Sequence, residues 1–188
     1  MQTNYSLLLR VWHWLNVVAI LGLIGTFFLR KTFLSWRDNS ALIIEKLASY
    51  GIEVSAQQAK EVAQAIRAPM WEWHIIFGIM LSLLLVMRLF IIWRERGFGY
   101  DHNESVHIHF VHNGYKVFYG VLLFMSLSGL FLIGYESLGV SKDFAHSIKE
   151  IHELIAWVVV IFVPLHIVGV VIAETKDQKG LVSKMISG

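Results

Sequence analysis

Residues Ile151–Ala173 read IHELIAWVVVIFVPLHIVGVVIA. A run this long and apolar is enough to cross a bilayer, for which about 20 residues suffice. In lipid the backbone must satisfy its own hydrogen bonds, so the segment is a helix or part of a closed barrel. The polar–apolar alternation of a barrel strand is absent. Two imidazoles, His152 and His166, interrupt the run. Ionisable groups inside a span are costly and usually mark function. Their fourteen-residue spacing is close to four helical turns, about 21 Å along the axis with only about 40° of rotation. One helix thus presents two imidazoles on one face, one near each side of a membrane.

The rest of the chain agrees. It has 188 residues, 56% hydrophobic and only 16% charged, where soluble domains carry about 25% charged residues. Four stretches have the length and apolarity of a span: roughly 11–29, 71–93, 115–135 and 151–173. The expected fold is an all-α membrane protein, a four-transmembrane-helix bundle forming a single domain over residues 1–188, with both termini on one side. The first run contains Trp12, His13 and Trp14 and no small-residue cleavage site follows it, so it reads as a retained span and not a signal peptide. The net charge of +2, without a Lys/Arg cluster, gives no reason to expect nucleic acid. There are no cysteines, which excludes disulfides, thiolate metal sites and covalent attachment of a haem.

The connection between spans 1 and 2 is too long for a plain loop. Ser40–Tyr50 is amphipathic and ends at Gly51, a suitable residue just past a helix end. Ser55-Ala-Gln-Gln58 fits a capping box, and the helix it opens is expected to stop before Pro69. The insertion, residues 40–67, therefore reads as two short amphipathic helices. They either lie on the bilayer and cap the bundle or offer a docking surface to a partner.

Nine histidines occur, four of them in spans. Span 1 starts on the side of the termini, so His13 is shallow there. Spans 2 and 4 start on the opposite side, so His74 and His152 share that level. His166 lies about 21 Å further along span 4, near the level of His13. The four fall into two pairs at two depths, His13 with His166 and His74 with His152. Paired imidazoles suit the two axial positions of a low-spin haem iron, with no open site for oxygen. The expectation is two non-covalent haem b groups, with centres roughly 20 Å apart. The competing reading for any one histidine is an interhelical hydrogen bond.

Arg88 lies fourteen residues beyond His74, at the expected depth of the His13/His166 pair, and either meets a haem propionate or snorkels to the interface. Arg10, three residues before His13, is a propionate partner or an interfacial anchor. Gly78 follows His74 by four residues and shares its helical face, leaving room for a flat macrocycle. Gly22, Gly25, Gly120, Gly129 and Gly169 offer the same or serve close helix packing. Pro164 is placed to bend span 4 before His166. His102, His107, His109, His112 and His146 read as loop residues; His109 with His112 offers a weak surface metal pair, and His107, His109 or Lys116 a titratable group for a quinone site.

Together these residues resemble the bacterial cytochrome b561 and Ni/Fe-hydrogenase cytochrome b family. The resemblance rests on Arg10-x-x-His13-Trp14, on His74-x3-Gly78 with Arg88, on the His152 and His166 pair, on His112-Asn-Gly-Tyr-Lys-Val-Phe-Tyr119 with Ser128-Gly129-Leu130, and on the tail Glu174-x5-Gly180-Leu-Val-Ser-x-Met-Ile-Ser-Gly188. It implies a multi-pass di-haem cytochrome of the bacterial inner membrane with cytoplasmic termini. Such a protein passes electrons between a redox partner and the quinone pool of a respiratory chain. In hydrogenase-type members the partner is periplasmic, and the haem nearer that side, here His74/His152, accepts first. The chain departs from the family in stopping after four spans, where hydrogenase subunits often have a fifth, and in carrying the 40–67 insertion. Charge alone does not orient it, because the 16 Lys and Arg divide equally between the two sides.

The function expected is therefore electron transfer, as a subunit more than as a stand-alone oxidoreductase. One alternative is a free-standing enzyme exchanging electrons between quinone and a small oxidant such as superoxide; a further one is a haem-free membrane anchor. Expected partners are membrane lipid, a quinone and a periplasmic redox enzyme or cytochrome, with a homodimer left open.

Overall fold

The structure is a computed structural model that describes residues 5–94, 106–176 and 179–188, without the side chains of 92, 94 and 106–112. His102 lies outside the described residues, as do the side chains of His107, His109 and His112, so the surface-metal and quinone-site expectations placed on them fall there too.

Every regular element among the described residues is a helix: α1 (Leu7–Lys31), α2 (Trp36–Ser49), α3 (Ala56–Arg94), α4 (Val106–Gly134), α5 (Lys142–Thr175) and α6 (Leu181–Ile186). Four of them, α1, α3, α4 and α5, are long and apolar enough to cross a membrane. Large apolar side chains stay exposed along them, for example Val18, Leu83, Val117 and Leu154, as expected for helices whose outer faces meet lipid and not water.

The insertion has the expected local chemistry. Ser55 Oγ accepts from Gln58 N at 3.2 Å, while Gln58 Oε1 accepts from Ser55 N at 2.9 Å, the reciprocal pair of a capping box. Gly51 adopts φ 73°; its N–H reaches the Ala48 carbonyl and that of Ile52 the Leu47 carbonyl, which closes α2 as a Schellman motif. The boundary at Pro69 differs from the expectation. Pro69 lies inside α3, which runs unbroken over 39 residues. A proline removes one hydrogen bond, here to the Ala65 carbonyl, and crowds that carbonyl; the turns on either side keep their own bonds and carry the helix through. The second inserted helix and span 2 are one rod of about 58 Å, well beyond the roughly 30 Å of a bilayer core.

Two compact units are present, Met1–Val17 with Ile79–Gly188, and Val18–Gly78. In the first, α4 and α5 pack through the stacked rings of Phe118 and Phe162, 3.6 Å between centroids. Trp12 Nε1 donates to the Leu84 carbonyl at 2.8 Å, joining the start of α1 to the second half of α3. In the second, the Phe77 ring sits where a Cβ on Gly22 would be, 2.5 Å away, so Gly22 is a packing glycine. Lys60 of α3 lies over the Trp36 ring of α2 at 5.2 Å.

The tail folds back within the first unit. Gly180 takes a left-handed conformation, φ 85°, which costs a residue with a Cβ roughly 1–2 kcal/mol. The Glu174 carboxylate accepts from Gly180 N at 2.8 Å and Val182 N at 2.9 Å, serving the orphan amides at the start of α6. The far end of α6 accepts from α1: Arg10 Nη1 reaches the Ile186 carbonyl and Trp14 Nε1 the Met185 carbonyl, each at 3.1 Å. Glu174→Gln and Gly180→Ala should each loosen this latch without unfolding the spans. The expected result is faster protease cleavage of the segment after Thr175 in detergent-solubilised protein, with unchanged helical circular dichroism.

Candidate functional site

His13 and His166, expected as a pair, are brought together. Their ring centroids are 6.3 Å apart and the planes are inclined at 54°. Two metal–nitrogen bonds of about 2.0 Å plus two imidazole radii of about 1.1 Å span about 6 Å. The gap therefore matches one metal ion held between the two rings. His13 also meets Trp14 edge-on at 5.6 Å. His166 stacks on Phe162 at 5.9 Å, and Tyr115 OH lies 3.4 Å from its Nδ1.

His152 is held by α4. Its Nδ1 lies 2.7 Å from Ser128 Oγ, and its Cε1 would be 3.6 Å from a Cβ on Gly129. Ser128 already gives its single hydroxyl proton to the carbonyls of Phe124 and Met125, at 2.6 and 3.2 Å. In the tautomer with Nδ1–H the imidazole donates to this hydroxyl and keeps its lone pair on Nε2.

His74 repeats the device in the other unit. Its Nδ1 lies 2.8 Å from Thr26 Oγ1, which donates to the carbonyls of Gly22 and Leu23 at 3.0 and 2.9 Å. The same tautomer would leave the lone pair on Nε2. A hydrogen bond from the second ring nitrogen is the common way in which a protein fixes the tautomer and aim of a metal-binding histidine. Two histidines separated by 78 residues in sequence, on different helices, thus make the same kind of interhelical hydrogen bond, the contact given above as the competing reading for a histidine in a span. Thr26, Ser128 and Tyr115 were not singled out from the sequence for this role; the signal available was a hydroxyl within an otherwise apolar run.

Arg88 is turned onto Trp12, with its guanidinium carbon 5.5 Å from the ring centroid. That places it beside the helical turn bearing His13. Arg10 is tied to α6 through Nη1. Among the described residues, the Nε atoms of both arginines are buried without a hydrogen-bond partner. An orphan cationic donor on each of two arginines beside the histidine pair fits an anionic ligand group there.

Cβ atoms built on Gly25, Gly78, Gly120 and Gly169 meet nothing within 4 Å. These positions offer flat, open helix surface of the kind a macrocycle uses. His146, on the first turns of α5, is exposed and pairs with Glu150 at 3.6 Å, in keeping with a solvated role. No cluster of three or more metal-ligating side chains occurs among the described residues. The donor set among the described residues is therefore the His13/His166 pair with its cationic neighbours, and the single imidazoles His74 and His152. That set fits haem b, whose iron takes two axial nitrogens and whose propionates are carboxylates.

Comparison with known proteins agrees with this chemistry. No curated protein and no solved structure gave a match. The family profile of the prokaryotic cytochrome b561 proteins matches residues 4–188, nearly the whole chain. The chain belongs to the prokaryotic cytochrome b561 family and is a multi-pass membrane protein of the haem b electron-transfer type.

Proposed function

We propose that this protein is a di-haem b-type cytochrome that carries electrons across the bacterial cytoplasmic membrane, between a redox partner protein and the quinone pool. The observation that carries the reading is the 6.3 Å separation of the His13 and His166 rings. It is supported by the matched hydroxyl–imidazole pairs Thr26–His74 and Ser128–His152. The pairing of His74 with His152 rests on their common depth in spans 2 and 4.

Bound haem b supplies one-electron chemistry between ferric and ferrous iron. The residues of the chain do the rest. His13 with His166 would hold one haem iron through imidazole nitrogens, and His74 with His152 would hold the second. Ligation by two imidazoles would favour electron transfer over oxygen chemistry. Arg10 and Arg88 neutralise carboxylates at the His13/His166 level. Thr26 and Ser128 hold the Nδ1 proton of their histidines, so that Nε2 stays a lone-pair donor in either redox state. Gly78, beside His74, and Gly129, against the His152 ring, keep the helix surface low where a macrocycle lies.

Purified protein is expected to contain two b haems per chain by pyridine haemochrome assay and reduced-minus-oxidised spectra. His13→Ala, His166→Ala and the double variant should each lose the same single haem. His13→Ala with His152→Ala should lose both. Retention of two haems by His152→Ala, or loss of two by the His13/His166 double variant, would refute the pairing.

A second expectation follows from the hydroxyls. A hydrogen bond accepted from Nδ1–H makes the imidazole more basic and favours ferric iron. Ser128→Ala and Thr26→Val should therefore raise the midpoint potential of one haem and leave the other unchanged, as measured by potentiometric titration. A downward shift, or none in either variant, would remove the tautomer-fixing role.

A further inference from the structure

The second unit holds a cationic cluster that the functional reading leaves unused. Arg30, on the last turn of α1, has its guanidinium carbon 5.5 Å from the Trp71 ring centroid. Arg67, four residues before Trp71 on α3, has its own at 5.9 Å from the same ring. The two arginines lie within electrostatic reach of each other. Two guanidinium groups gathered around one indole repel each other, and an anion between them relieves that repulsion. Arg67 Nε is buried without a hydrogen-bond partner, so at least one donor is turned inward, away from the water that would otherwise solvate it.

The cluster is tied to His74. The Trp71 ring meets the His74 ring edge-on at 5.6 Å, and Thr26, which holds His74 Nδ1, is one helical turn before Arg30. Both arginines therefore lie one to two turns along their helices from the groups that set the imidazole. That is about 6–10 Å, the reach of a carboxylate on the rim of a macrocycle whose metal the imidazole binds.

We infer that Arg30 and Arg67, beside the Trp71 ring, form a carboxylate site for the propionates of the haem that His74 holds. The inference rests on the proposed haem reading and adds the contact made by the far edge of that group. It also gives the inserted segment a role, because Arg67 belongs to the part of α3 contributed by the insertion. A lipid phosphate shares the anionic chemistry. The buried Nε and the contact between Trp71 and His74 favour the propionate, since a headgroup would be met by exposed donors at the rim.

The test uses the haem-loaded protein in nanodiscs and the variants Arg67→Gln, Arg30→Gln, Arg67→Lys and His74→Ala. His74→Ala identifies the haem in question by its loss. In Arg67→Gln that same haem should titrate at a lower potential, because removing a cation stabilises the ferric state. It should also pass to a haem-scavenging apoprotein about tenfold faster, the weight of one charge-assisted hydrogen bond. Arg30→Gln should act in the same direction, and Arg67→Lys should fall in between. Unchanged potential and release rate, a shift confined to the other haem, or a change only in co-purified phospholipid phosphorus would overturn the inference. If His74→Ala lost no haem, the functional reading would fall, and this inference with it.

Discussion

An imidazole placed in hydrocarbon has to give its N–H to something. That constraint organises this protein. In water the proton is shared with solvent at no cost. Inside a span an unmet N–H costs several kcal/mol, so each histidine needs an acceptor supplied by a neighbouring helix. Ser128 and Thr26 meet the need in the same manner. Each also reaches carbonyls of its own helix, which leaves its oxygen able to accept from an Nδ1–H. The arrangement serves stability and chemistry together, because the nitrogen left without a proton is the one able to bind a metal. The first site differs. There His166 meets a phenol at the longer distance of 3.4 Å, so the two expected haem levels share axial chemistry but not the surroundings of the axial groups.

Much of the architecture was legible in the sequence because hydropathy acts on the scale of a whole span. Twenty apolar residues leave little freedom, and the four long helices lie where composition places them. The end of α2 and the capping box at Ser55 were legible for the opposite reason: both are local, depending on two or three residues and a left-handed glycine. Pro69 shows where local reasoning ends. The missing hydrogen bond is real, but helix propagation is cooperative, and the intact turns on both sides outweigh it. A rule that weighs one residue at a time does not contain that comparison.

The candidate site was legible only in part. The fourteen-residue spacing was enough to place His13 with His166 and Arg88 beside the same turn, since rise per residue converts sequence separation into depth. Depth says nothing about rotation, and rotation decides which hydroxyl faces which imidazole. Thr26, Ser128 and Tyr115 are ordinary residues in apolar runs; nothing in their spacing singles them out. Arg30 and Arg67 were visible as charges on one side of the membrane, but their convergence on Trp71 depends on α3 continuing through Pro69 without a break.

The latch between α6 and α1 has a consequence in time. Arg10 and Trp14, the residues flanking His13, are held by carbonyls of Met185 and Ile186. During synthesis His13 enters the membrane early, while residues 185 and 186 leave the ribosome some 170 residues later, roughly 10–30 s at ordinary elongation rates. The surroundings of the first histidine are thus completed by a segment made some 170 residues after it. Insertion of the spans and maturation of this end of the protein become separate events, with an interval between them in which His13 is in place and its neighbours are not.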